Sequence, residues 1–152
     1  MQTGFGRTGE WFAAQTFGVI PDIFVLAKAI ASGFPLSAVA APTRLVKAWS
    51  AGAHGTTFGG NPISCAAAVA TIQAIGEERL IDNCRARGQQ IMARLEALKA
   101  RSPHIGDVRG RGLMIGIEFS VPGSDRQPDG AAAQRVLDAC LARGLLCYMA
   151  GV

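Results

Sequence analysis

Apolar positions in this chain fall first in short runs and later at helical spacing. The run "DIFVLA", residues 22–27, gathers β-branched and aromatic side chains behind a Pro-Asp turn, which predicts a buried strand. "SGFPLSAVAAP" predicts a turn and then a second short strand over Ser37–Ala41. Upstream, "GFGRTGEWFAAQTFGVIPD" is a glycine-punctuated loop leading to a helical turn around Trp11 to Phe17. "TRLVKAWS" predicts another helical turn, capped by Thr43.

From residue 61 the period changes. Asn61 followed by Pro62 is a helix start, a capping side chain and then proline at the first helical position. Ile63, Ala67, Ala70, Ile72, Ile75, Leu80 and Cys84 then recur at roughly helical spacing, and Ile91, Leu95 and Leu98 resume the pattern. Gly76 and Gly88 are the expected points of bending or breaking. After "RSPHIGD" the pattern alternates, predicting a strand or hairpin over Val108 to Phe119. A polar turn region, "VPGSDRQPDG", an amphipathic helix ending at Gly144 and a final strand "LLCYMA" complete an α/β reading. The two regimes divide the chain into residues 1–88 and a second, smaller α/β unit from residue 89.

Composition narrows the class. With 152 residues, 49% of them hydrophobic and 17% charged, the chain reads as globular rather than disordered, long enough for a real core. The net charge of +4 is mild. Arginines thicken between Arg79 and Arg111 without interleaved aromatics, so nucleic acid is not an expected partner. Cys65, Cys84, Cys140 and Cys147 form no CxxC pair and lack histidines at metal-ligand spacing, which argues against a zinc site and fits a reducing cytosol. The opening segment is no signal peptide, and no apolar stretch suits a bilayer, so the expected location is cytoplasmic.

Against that background Lys28 is out of place. It ends the most apolar run of the chain, whereas Lys47 and Lys99 stand in ordinary polar contexts. A strand-end lysine either snorkels to water or is desolvated, and a desolvated one can lose its proton and serve as a Schiff-base nucleophile. "GFGRTG" matches G-x-G-x-x-G, but a dinucleotide fingerprint needs a preceding strand and a later acidic residue, and both are missing. "HGTTFGGNP" sets two hydroxyls and three glycines before a helix start, which suits either a phosphate or a plain capped turn. His54 and His104 read as loop residues, "VRGRG" suits a solvated turn better than a carboxylate site at Arg109 or Arg111, and Ser64 lacks a nucleophile elbow.

In combination, "QTGFGRTG", "PDIFVLAKAIASGFPLSAV" and "HGTTFGGNP" before an alanine-rich helix resemble the class III pyridoxal-phosphate-dependent aminotransferases of fold type I. "IGDVRGRGLMIGIEF" and the helix ending "ARGLL" are most similar to the 4-aminobutyrate aminotransferase branch. The resemblance implies part of the large cofactor-binding domain over residues 1–88 and most of the small C-terminal α/β domain over 89–152. It implies that Lys28 forms the Schiff base with pyridoxal 5'-phosphate and then acts as general base. Gln2 would hydrogen-bond the cofactor's phenolic oxygen, and Thr57, with Thr56, would bind the phosphate of a neighbouring subunit. A homodimer with shared sites follows, acting on a small-molecule amino donor and a 2-oxo acid acceptor.

The implied reaction moves an amino group from an ω-amino acid such as 4-aminobutyrate to a 2-oxo acid. The alternatives are an acetylornithine or ornithine donor, a decarboxylase or mutase relative, and an inactive fragment. Members of the family are much longer, and the Asp-Glu pair expected before Met1 is absent, as are the upstream phosphate loop and a later arginine for the substrate carboxylate. The expectation is therefore a fragment that alone neither folds stably nor transaminates.

Overall fold

The computed structural model describes residues 1–150. Its elements in chain order are α1 (Ala13–Thr16), β1 (Phe24–Leu26), a 3₁₀ turn (Lys28–Ala31), β2 (Ala38–Ala40), α2 (Thr43–Val46), α3 (Pro62–Glu77), α4 (Leu80–Lys99), β3 (Ile105–Arg111), β4 (Met114–Phe119) and α5 (Gly130–Leu141). They form two compact units. The first takes Met1–Arg87 with the hairpin tip Arg111–Met114; the second takes Gly88–Gly110 and the residues from Ile115 on. No described helix is long and apolar enough to cross a membrane.

In the first unit β1 and β2 pair antiparallel, with Val25 opposite Val39. The strand expected over residues 22–27 is shorter and more open than its composition suggests, since Ile23 and Val25 are about half exposed. A strand becomes buried only when neighbours cover both faces, and among the described residues β1 has β2 alone beside it. The core lies instead where the 3₁₀ turn meets α3. Ile30 and Ala31 pack on Ala68, with Phe5, Leu26, Leu36 and Ala67 around them. Burying Ile30 contributes on the order of 2 kcal/mol, and the small residues of α3 let the turn approach closely.

Helix α3 starts as its sequence predicts. Asn61 is the cap, its side-chain oxygen accepting from the Ser64 N–H at 2.9 Å, and Pro62 is the first helical residue. Thr43, by contrast, lies inside α2 and caps nothing; Pro42 holds the cap position. The long helical region breaks at neither expected glycine. Gly76 is within α3 and Gly88 within α4, and the chain turns at Arg79, whose φ is +53°. Asp82, in the first turn of α4, pairs with Arg79 at 2.8 Å and with Arg85 at 3.0 Å, so charge fixes this corner and suits the positive end of α4.

In the second unit β3 and β4 make the predicted hairpin, joined by Gly112 and Leu113. Arg109 donates to Asp107 at 2.9 Å and to Glu118 across the ladder at 2.7 Å, and Lys99 donates to Asp107 at 3.2 Å. Asp129 caps α5 by accepting from the Ala132 N–H at 2.9 Å. The helix ends where Gly144, at φ +80°, lets Leu145 donate back to the Cys140 carbonyl at 2.9 Å, a Schellman closure. The expected final strand is not formed: residues 145–150 have no regular secondary structure and no ladder partner, and Leu146 and Tyr148 stand in solvent.

Candidate active site

Lys28 is the second residue after β1 and the first of the 3₁₀ turn. Its backbone is left-handed, φ +57°, a region that costs a non-glycine residue roughly 1 kcal/mol. Ile30 and Ala31, two and three residues on, are buried in the core of the unit and hold the turn that Lys28 opens. Backbone strain held in place by packing is a mark of functional positions. The side chain itself is exposed, so the expectation of a desolvated amine is corrected. The same open sheet that leaves Val25 uncovered leaves the lysine in water.

Gln2 is exposed at the mouth of a closed loop. Gly4 bridges Phe12, Phe5 donates to the Trp11 carbonyl at 2.7 Å, and Gly9 to the Gly6 carbonyl at 3.0 Å. This geometry explains "GFGRTG" without a nucleotide: Gly6 and Gly9, at φ +89° and +88°, turn the loop back on itself. The loop lies on one face of α4. A Cβ at Gly6 would touch Ile81, one at Gly9 would overlap the Arg85 stem, and Arg85 pairs with Glu10 at 2.8 Å. A cleft of about 430 Å³ opens between this loop and β1, lined chiefly by Phe5, Phe12, Phe24 and Leu26. It is apolar, and neither Gln2 nor Lys28 lines it.

Thr56 and Thr57 are exposed in the loop before α3. A Cβ on Gly59 would collide with the Thr56 hydroxyl, so glycine there leaves room for that hydroxyl. The helix end contributes less than its sequence suggests. Pro62 has no N–H, Asn61 occupies that of Ser64, and Cys65 donates to the Asn61 carbonyl at 3.0 Å. A phosphate would rest mainly on the two hydroxyls. His54 stacks on Trp49 at 4.1 Å between centroids, and His104 faces Asp129 at 3.7 Å, so both histidines have structural partners.

Among the described residues, no hydrogen bond joins Lys28 to Gln2, Thr56 or Thr57. The donor set nonetheless fits pyridoxal phosphate in kind: an accessible primary amine, an amide for a ring oxygen, and paired hydroxyls over a glycine for a phosphate. The sequence reading did not find Cys84, Arg85 or the hairpin tip, which hold the glycine loop. The available signal was that Ile81, Cys84 and Arg85, at i, i+3 and i+4, share one face of α4.

The family described as aminotransferase class-III matches residues 1–152. Acetylornithine aminotransferase of Methanothermobacter thermautotrophicus is 45% identical over 96% of this chain and 35% of its own. The 5-aminovalerate aminotransferase DavT of Pseudomonas putida is 41% identical over 99% of this chain and 35% of its own. Among solved structures, acetylornithine aminotransferase from Elizabethkingia anophelis superposes with a TM-score of 0.85 at 34% identity, covering 97% of this chain and 38% of that one. The chain thus spans about a third of the length of the relatives it matches, and its fold is a partial α/β portion of the fold type I arrangement.

Proposed function

The chain belongs to the class III aminotransferase family, and on that premise we propose that it carries the lysine-bearing part of a pyridoxal-phosphate enzyme. That enzyme moves an amino group from an ω-amino acid, of the 4-aminobutyrate type, to a 2-oxo acid. In this reading residues 1–88 belong to the large cofactor-binding domain and residues 89–152 to the small C-terminal one. The enzyme is a cytoplasmic homodimer whose sites are shared between subunits. The observation that carries the reading is Lys28, an accessible amine on a strained left-handed backbone locked by Ile30 and Ala31. A relative named for 5-aminovalerate supports an ω-amino donor; the 45% identity to an acetylornithine enzyme supports acetylornithine or ornithine as the second reading.

Pyridoxal phosphate, when bound, supplies an aldehyde for an amine and an electron-accepting ring beside the reacting carbon. The residues of this chain do the rest. Lys28 would hold the cofactor through its amine and would take and return a proton at the donor's amine-bearing carbon. Gln2 would donate its amide hydrogen to the ring oxygen, and Thr57, with Thr56, would donate hydroxyl hydrogens to the cofactor phosphate of the neighbouring subunit.

The test is reductive labelling. The chain is incubated with pyridoxal phosphate, reduced with borohydride and mapped by peptide mass. A single adduct at Lys28 supports the proposal. No adduct, or equal labelling of Lys47 and Lys99, overturns it for this chain.

A further inference from the structure

The carbonyl of Arg7 accepts two hydrogen bonds from residues far along the chain. Leu113, at the tip of the β3–β4 hairpin, donates its N–H to it at 2.9 Å. The Cys84 thiol, buried on α4, donates to the same oxygen at 3.2 Å. Both lone pairs of this carbonyl are therefore used, by partners far apart in sequence. Beside it, Gly112 lies so close to the loop that a Cβ would come within 2.5 Å of the Thr8 carbonyl carbon and 2.7 Å of the Gly9 nitrogen. Backbone cannot yield to such an overlap as a flexible side chain can. Thr8 carries the connection onward, its hydroxyl donating to the Thr3 carbonyl at 3.5 Å, next to Gln2.

We propose that Cys84 and the Gly112–Leu113 tip are positioning residues, holding the glycine loop at the Arg7 carbonyl so that Gln2 is presented in one orientation. The significance of Gln2 rests on the aminotransferase reading; the clamp rests on geometry alone. A loop of this kind exposes its backbone to water and is mobile unless pinned. The three contacts at Arg7 to Gly9 are the pins. Gly112 serves here twice, because its φ of +55° suits glycine and its missing side chain admits the loop.

The experiment is amide hydrogen exchange on the chain and on Gly112→Ala, Cys84→Ala and Cys84→Ser, read in the peptides covering residues 2–12 and 62–77. Gly112→Ala is expected to speed exchange in residues 2–12 about tenfold, with α3 unchanged. Cys84→Ala is expected to speed it severalfold, and Cys84→Ser, which keeps a donor, to restore the parent rate. Unchanged exchange in residues 2–12 in both alanine variants overturns the proposal, as does a Cys84→Ser rate equal to that of Cys84→Ala. Absorbance with added pyridoxal phosphate separates the two readings. If the parent chain shows no Lys28 adduct, the aminotransferase reading fails and exchange alone still decides the clamp. If Gln2→Ala shifts the absorbance of the loaded chain and Gly112→Ala does not, the link from clamp to Gln2 is overturned.

Discussion

Asn61 holds both sides of the junction before α3. Its side-chain oxygen accepts from the Ser64 N–H at 2.9 Å while its amide donates to the Phe58 carbonyl at 3.0 Å. One side chain thus caps the helix and fixes the loop that carries Thr56 and Thr57. Asn61→Ala is expected to cost about 1 kcal/mol in urea unfolding relative to the parent. Asn61→Asp should recover most of that, because it keeps the cap. The contact to the Phe58 carbonyl is lost in both variants, so the stability that still separates the aspartate variant from the parent reports the loop, and the difference between the two variants reports the cap.

The left-handed backbone at Lys28 makes an unusual forecast for a proposed catalytic position. Lys28→Asn should be at least as stable as the parent, since asparagine tolerates φ near +57°. Lys28→Val should lose about 1–2 kcal/mol, because a β-branched residue there is a genuine outlier. Both should abolish the reductive adduct. Chemical denaturation of the pair distinguishes strain from chemistry: equal stabilities would show that the backbone is not strained.

The hydrogen bonds from Arg109 and then Lys99 hold the Asp107 carboxyl below its ordinary value of 3.8. A depressed carboxylate favours the folded state above the unfolded value, and the benefit disappears as pH falls through the lower folded one. Asp107→Asn should therefore flatten the acid limb of stability below about pH 4 and change little near neutrality. Because the carboxyl is still partly open to water, the effect should also shrink in high salt. An NMR titration of Asp107 gives the direction independently; an unshifted carboxyl would contradict it.

Gly106 faces Ser120 across the hairpin, and a Cβ there would come within 2.8 Å of the Ser120 hydroxyl and 3.2 Å of its Cβ. Ser120 is buried and cannot simply swing into solvent. Gly106→Ala should cost about 1–3 kcal/mol by overpacking. Adding Ser120→Gly should return part of that loss. A double-mutant cycle by thermal unfolding tests the coupling, and additive costs would show that the two positions do not meet.

What could be read in the sequence was local. Asn61–Pro62 and the alternation over the hairpin each declare themselves within a few residues. The failures came where a distant partner decides. "DIFVLA" and "LLCYMA" have strand composition, yet the first is short and half exposed and the second has no ladder, because a strand needs a neighbour as well as propensity. The helix break expected at Gly76 or Gly88 lies at Arg79, whose left-handed backbone no local pattern signals. Among the proposed site residues, Lys28 was conspicuous by polarity alone. Its strained backbone was not, since that depends on Ile30 and Ala31 seated on Ala68.

The bond between Cys84 and Arg7 spans 77 positions, and that from Leu113 spans more. Closing so wide a loop is entropically slow, whereas α3, α4 and the hairpin can form from local contacts. During synthesis the glycine loop leaves the ribosome before either of its anchors exists. The turns inside the loop can therefore form from its own residues, but its two long-range bonds must wait until α4 and the hairpin tip arrive.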